Sequence, residues 1–120
     1  MAPLRVLVVD DDRDDAELTR MALHDAGLAP DVRTVSRRDA LAQALDGFAP
    51  QLVLCDLNFP GWPCREIRAE LLRAAPDARF VLLTGALPPD GDLPAVDAVL
   101  LKDRLHELPA LLRRLLPGTR

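Results

Sequence analysis

The sequence has too little of several things to be many kinds of protein. Two cysteines, Cys55 and Cys64, cannot build the disulfide framework of a small secreted scaffold. No segment approaches the ~18 apolar residues needed to span a membrane. The apolar run at 4–9 is too short for a signal-peptide core and ends in carboxylates. A cytoplasmic location and no membrane contact are therefore expected. Nothing resembles a basic stripe, and the net charge is −4, which argues against nucleic acid as a partner. There is no internal repeat and no interdomain linker. The 120 residues suit one domain, 1–120, with one core.

What is present is an ordinary globular mix, with 49% apolar and 28% charged residues. Most of the 11 prolines fall between periodic segments, as punctuation. Short apolar runs at 4–9, 52–55 and 80–83, with a weaker one at 98–101, lack strict alternation. Strands buried on both faces of a parallel sheet read this way. Residues 31–35 alternate and suit an edge strand. Helical periodicity covers 14–26, with Leu18, Met21, Ala22 and Ala26 expected inward and Gly27 as the stop. A second helix is expected from Ser36, with Asp39 forming a loose capping box and Leu41, Ala44, Leu45 and Phe48 inward. A third covers 64–75, with Ile67, Leu71 and Ala74 or Ala75 inward. The last runs to Leu116, with Leu108, Leu112 and Leu115 inward, and Pro109 is tolerated at its start. Strands alternating with helices imply a doubly wound parallel α/β sheet. The stretch 85–94 carries Pro88, Pro89, Gly91 and Pro94, so no stable helix is expected there.

In an open parallel sheet, ligands bind beyond the carboxyl ends of the strands. Strand one ends in Asp10, Asp11 and Asp12, strand three in Asp56, strand four in Thr84 and strand five in Lys102. A carboxylate can act as nucleophile toward phosphorus and give an acyl phosphate. Its acidic neighbours and an anionic phosphodonor then require a divalent cation, and Mg²⁺ takes one or two carboxylates with water and a phosphate oxygen. Thr84 and Lys102 can supply a hydrogen bond and a positive charge to phosphoryl oxygens. The plainer reading of Asp10, Asp11, Asp12, Asp14 and Asp15 is a solvated helix start, where carboxylates are favoured. Thr84 alone would be an ordinary strand-end hydroxyl and Lys102 alone a solvated charge.

The segments VLVVDDDRDDAEL, LVLCDLNFPG, FVLLTGA and AVLLKD, in this order, resemble the bacterial response-regulator receiver domain over nearly the whole chain. The resemblance implies a flavodoxin-like sheet of strand order 2-1-3-4-5. It implies Asp56 as phospho-acceptor, Asp11 as a direct Mg²⁺ ligand and Asp10 as a ligand through water. The Asn58 carbonyl would complete the set, Thr84 would be the switch hydroxyl and Lys102 the phosphate-pairing lysine. The donor would be a histidine kinase or histidine phosphotransfer protein, with a downstream effector domain or protein as output. Such a domain turns over no metabolite and is not expected to be an enzyme.

Three departures from the family stand out. Asp103 replaces the proline that usually follows the lysine, so a trans bond is expected. Val99 replaces the usual aromatic, and the helix between strands four and five is expected to be short or absent. These departures favour an alternative, a degenerate receiver that acts as a phosphorylation-independent docking adaptor. A haloacid-dehalogenase-type phosphatase fits poorly, because Arg13 and Asp14 follow the strand-one acids where that chemistry needs other residues. His24 and His106 read as surface residues. Trp62 is expected to be partly buried against a helix, or else to belong to a kinase-docking surface. Cys55 reads as a buried free thiol, and Cys64 stands at a helix start, where thiols gain reactivity.

Overall fold

Each apolar run becomes a strand in the computed structural model, which describes residues 3–91 and 93–116. The strands are β1 (Arg5–Val9), β2 (Asp31–Val35), β3 (Leu52–Asp56), β4 (Arg79–Thr84) and β5 (Ala98–Leu101). They form one parallel sheet in the order β2-β1-β3-β4-β5, the flavodoxin-like arrangement that the family resemblance implies. Successive side chains go to opposite faces, and both faces are covered. Leu7, Val9, Val53, Cys55, Phe80 and Leu82 belong to one core cluster. Val6, Val8, Leu52, Leu54, Val81 and Leu83 belong to the other. Burial on both sides explains why these runs do not alternate.

The helices are α1 (Arg13–Asp25), α2 (Leu41–Leu45), α3 (Cys64–Ala74) and α4 (Leu108–Leu115), with 3-10 turns at Arg38–Ala40 and Lys102–Glu107. Among the described residues no helix is long and apolar enough to cross a membrane. Asp12 caps α1, its Oδ1 accepting from the N–H groups of Asp14 (2.9 Å) and Asp15 (3.1 Å).

The buried face of α1 differs from the expectation. Ala16, Thr19 and Leu23 face the core, while Leu18 and Met21 are 53% and 50% exposed. Thr19 can be buried because its hydroxyl donates to the Asp15 carbonyl at 3.0 Å. The capping box at Ser36 also does not form. The following turn has Arg37 as its N-cap, one residue too late for Ser36, and Asp39 instead pairs with Arg37 at 2.6 Å. In α3, Ala75 is buried but Ala74 is exposed.

Among the described residues no helix joins β4 to β5, as the prolines predict; Asp92 lies outside the described residues. Leu93 and Val96 pack from this connection against the core. Asp97 fixes its end, its N–H donating to the Phe80 carbonyl (2.9 Å) and its Oδ2 accepting from the Phe80 N–H (2.7 Å). No cis peptide occurs among the described residues, so Lys102–Asp103 is trans.

Candidate functional site

The strand register decides what meets at the carboxyl rim. Val9 pairs with Cys55, so Asp10 and Asp56 emerge side by side from β1 and β3. Asp56 pairs with Leu83, which puts Thr84 one step further along β4. Thr84 pairs with Leu101, and Lys102 follows directly. Four segments distant in sequence therefore deliver carboxylates, a hydroxyl and an ammonium to one edge.

The acidic run divides its labour. Asp12 is spent on the helix cap. Asp11 is exposed, and Asp10 is buried, its Oδ1 accepting from the Asp12 N–H at 3.0 Å. Carboxylate oxygens of Asp10, Asp11 and Asp56 all lie within 4.8 Å of one another. Oxygen donors so spaced fit a hard divalent cation with short bonds to oxygen.

Lys102 ties the site together. Its Nζ lies 2.7 Å from Asp15 Oδ2, 3.1 Å from Asp10 Oδ2 and 3.6 Å from Asp56 Oδ2. Asp15 is the residue that sequence reasoning assigned no separate role. It stands three positions past the cap, in the first turn of α1, and that spacing was the available signal. Burial drives the Asp10 carboxyl up from an ordinary 3.8 to about 6, outweighing the Asp12 N–H and Lys102, which both act to lower it. For Lys102 burial acts to lower the pKa, but the hydrogen bonds to Asp15 and Asp10, with the charges of Asp10 and Asp56, push it above its usual range. The contrast is physical: one ammonium is shared among several carboxylates.

Asp56 is 6% exposed. Its Oδ1 accepts from the Asn58 backbone N–H at 3.1 Å. Asn58 thus touches Asp56 through its backbone N–H. Thr84 is fully buried, with its hydroxyl closed on a neighbour: Oγ1 donates to the Ala86 carbonyl at 2.7 Å and accepts from the Ala86 N–H at 3.3 Å. Val99 packs half-buried against the core in the place of an aromatic.

Trp62 departs from the expected partial burial and is 1% exposed. Its ring meets Phe59 edge-on at 5.2 Å, and its Nε1 donates to Glu70 Oε2 at 3.1 Å. A ring so enclosed offers no docking surface. His24 and His106 are exposed, as expected. Gly61 takes φ +71° in the turn that carries the chain from Asp56 to α3, a conformation that suits glycine.

No protein-family model matches the chain. No curated protein matches it either. Solved structures do match. A response regulator, TrrA from Thermotoga maritima in complex with Mg(2+)-BeF, is 28% identical with a TM-score of 0.77, the match covering 93% of this chain and 98% of that one. The response regulator RcsB of Salmonella typhimurium is 21% identical with a TM-score of 0.78, covering 100% of this chain and 63% of that chain, so this chain spans under two thirds of its length. A response regulator from Burkholderia pseudomallei with a phosphorylated aspartic acid, calcium ion and citrate is 23% identical with a TM-score of 0.75, covering 96% and 68%.

Proposed function

Because the fold is that of a response-regulator receiver domain, we propose that this chain is a phosphoacceptor signalling domain that takes a phosphoryl group onto Asp56. The observation that carries the reading is the Asp10, Asp11 and Asp56 carboxylate cluster with the Lys102 ammonium against it. Three carboxylates, Asp10, Asp15 and Asp56, face that one ammonium, and Asp11 lies within 4.8 Å of two of them, an imbalance a divalent cation relieves.

In the proposed reaction an Asp56 carboxylate oxygen attacks the phosphorus of a phosphohistidine. The P–N bond breaks, and the imidazole of a histidine kinase or histidine phosphotransfer protein leaves. The product is an acyl phosphate on Asp56 that water later hydrolyses. Asp10, Asp11 and Asp56, with the Asn58 carbonyl, would hold Mg²⁺. When bound, Mg²⁺ supplies charge neutralisation at the phosphoryl oxygens. The Asn58 N–H orients one Asp56 oxygen, leaving Oδ2 on the Lys102 side. Lys102 exchanges part of its carboxylate contact for a phosphoryl oxygen. Thr84 reaches phosphate only by giving up the Ala86 carbonyl, so its engagement rearranges the start of the β4–β5 connection. Val99, in a chain with no helix among the described residues between β4 and β5, leaves that rearrangement without the family's usual aromatic relay.

The neighbours with Mg(2+)-BeF and with a phosphorylated aspartic acid support this reading of a matching fold. The test is intact mass after incubation with Mg²⁺ and a small acyl-phosphate donor. One added phosphoryl group, lost without Mg²⁺, is expected. An unmodified mass under all conditions refutes the reading and favours the docking adaptor. A cytoplasmic setting and an effector in the same or another chain complete the proposal.

A further inference from the structure

The nearest partner of Lys102 is not one of the clustered acids. Asp10, Asp11 and Asp56 bring carboxylate oxygens within 4.8 Å of one another, a group that does not include Asp15. Yet Asp15 makes the shortest contact with the ammonium, Nζ to Oδ2 at 2.7 Å, against 3.1 Å for Asp10 and 3.6 Å for Asp56. A lysine ammonium carries three N–H donors. Here it donates to Asp15 and to Asp10, while Asp56 stands just beyond hydrogen-bond reach.

The backbone of Asp15 is held independently of its carboxylate. Its N–H donates to Asp12 Oδ1 at 3.1 Å, and its carbonyl accepts from the Thr19 hydroxyl at 3.0 Å. The side chain is 37% exposed, so replacing it opens no cavity. A divalent cation among Asp10, Asp11 and Asp56 would take up the charge of two of the three carboxylates around Lys102. It would also set a second positive charge against the ammonium, a repulsion that drives the lysine outward. Asp15 is the carboxylate such a cation leaves to Lys102.

We propose that Asp15 is a positioning residue that anchors Lys102 beside Asp56 while a divalent cation occupies the acidic cluster. The anchoring rests on the cluster's binding a cation, and its effect on phosphorylation rests on the phosphoacceptor function proposed above. Asp15 does not itself touch the phosphoryl group. It acts through Lys102, whose donor on the Asp56 side is then in place for a phosphoryl oxygen.

Lys102 is the sole lysine, so one side-chain amine reports the contact. The test is amine acylation of the whole chain with and without Mg²⁺, for wild type and Asp15→Asn, with peptide mapping to set the N-terminal amine aside. Lys102 of the wild type should stay protected in both conditions. In Asp15→Asn it should stay protected without Mg²⁺, held by Asp10 and Asp56. With Mg²⁺ it should react about tenfold faster than in the wild type, the scale of one lost hydrogen bond between charged groups. Phosphorylation of Asp15→Asn should be about tenfold slower, since small misplacements of a reacting group cost that much or more, and Asp15→Glu should recover part of the rate. Adding Asp15→Asn to Lys102→Met should change the remaining rate by less than about twofold, because the lysine it acts through is gone. Faster phosphorylation of Asp15→Asn would overturn the proposal, making Asp15 a competitor for Lys102 and not its anchor. Equal acylation of the two proteins in Mg²⁺ would overturn it too, as would a loss of rate that persists in the Lys102→Met background. If the wild type takes no phosphoryl group at all, the phosphoacceptor reading fails, and the acylation still decides the anchoring.

Discussion

Replacing Asp10 with asparagine should make the metal-free protein more stable while abolishing its response to Mg²⁺. A carboxyl whose pKa is raised from 3.8 to about 6 holds its proton more tightly in the folded chain than in the unfolded one. The stability that proton contributes is complete below pH ~4 and is lost as pH rises through about 6. At ~1.4 kcal/mol per unit, it amounts to roughly 3 kcal/mol missing at neutral pH. Asp10→Asn removes the ionisation and keeps an oxygen to accept the Asp12 N–H. It weakens the Lys102 contact, at a cost of about 1 kcal/mol, but Lys102 retains Asp15 and Asp56. A net gain of ~1–2 kcal/mol follows, or a Tm higher by about 4–10 °C in a domain of this size. Thermal and urea unfolding at pH 7 in a chelator would read it, with a repeat at pH 4, where the advantage should vanish. Mg²⁺ should then raise the Tm of the wild type and not that of the variant. An Asp10→Asn protein less stable than wild type at pH 7 without metal would refute the reasoning. So would an advantage that persists at pH 4.

Mg²⁺ affinity in the wild type should fall as pH drops through about 6, because a proton on Asp10 competes with the ion; at pH 5 calorimetry should find it weaker by about tenfold. Lys102→Met should slow phosphorylation by at least about a hundredfold while leaving Mg²⁺ binding intact, measured by intact mass and by calorimetry. The two sides of α1 should respond oppositely to truncation in urea melts. Leu23→Ala should cost ~2–4 kcal/mol, while Leu18→Ser and Met21→Ser should stay within about 0.5 kcal/mol. Trp62, enclosed against Phe59 and Glu70 in the loop after Asp56, should change its fluorescence on adding Mg²⁺ or a phosphoryl mimic, and Asp56→Asn should abolish the response to the mimic.

The sheet was legible in the sequence because its signal is collective. A run such as residues 52–55 must be apolar throughout when neighbours cover both faces, and no surface strand needs that. The rim was legible for a related reason: once the strands are parallel, each residue after a strand end falls on the same edge, whatever lies between. Single helices carry less information. The apolar residues of α1 form more than one stripe, and counting large side chains selects Leu18 and Met21. The structure prefers Ala16, Thr19 and Leu23, because Thr19 satisfies its own hydroxyl within the helix. Ser36 and Asp39 have the spacing of a capping box, but helix start and box differ by one residue, which spacing alone does not reveal. Asp15 had only its spacing, three positions past the cap, to set it apart among five aspartates as the closest partner of Lys102.

The central claim is that one particular aspartate is the nucleophile. Reducing the phosphorylated chain with borohydride converts an acyl phosphate to an alcohol at its own position, and peptide sequencing then reads where the phosphoryl group had been. The account predicts a single modified position, residue 56, formed only with Mg²⁺. Label on Asp10, Asp11 or Asp12, or an acid-labile phosphate on His24 or His106, would contradict it.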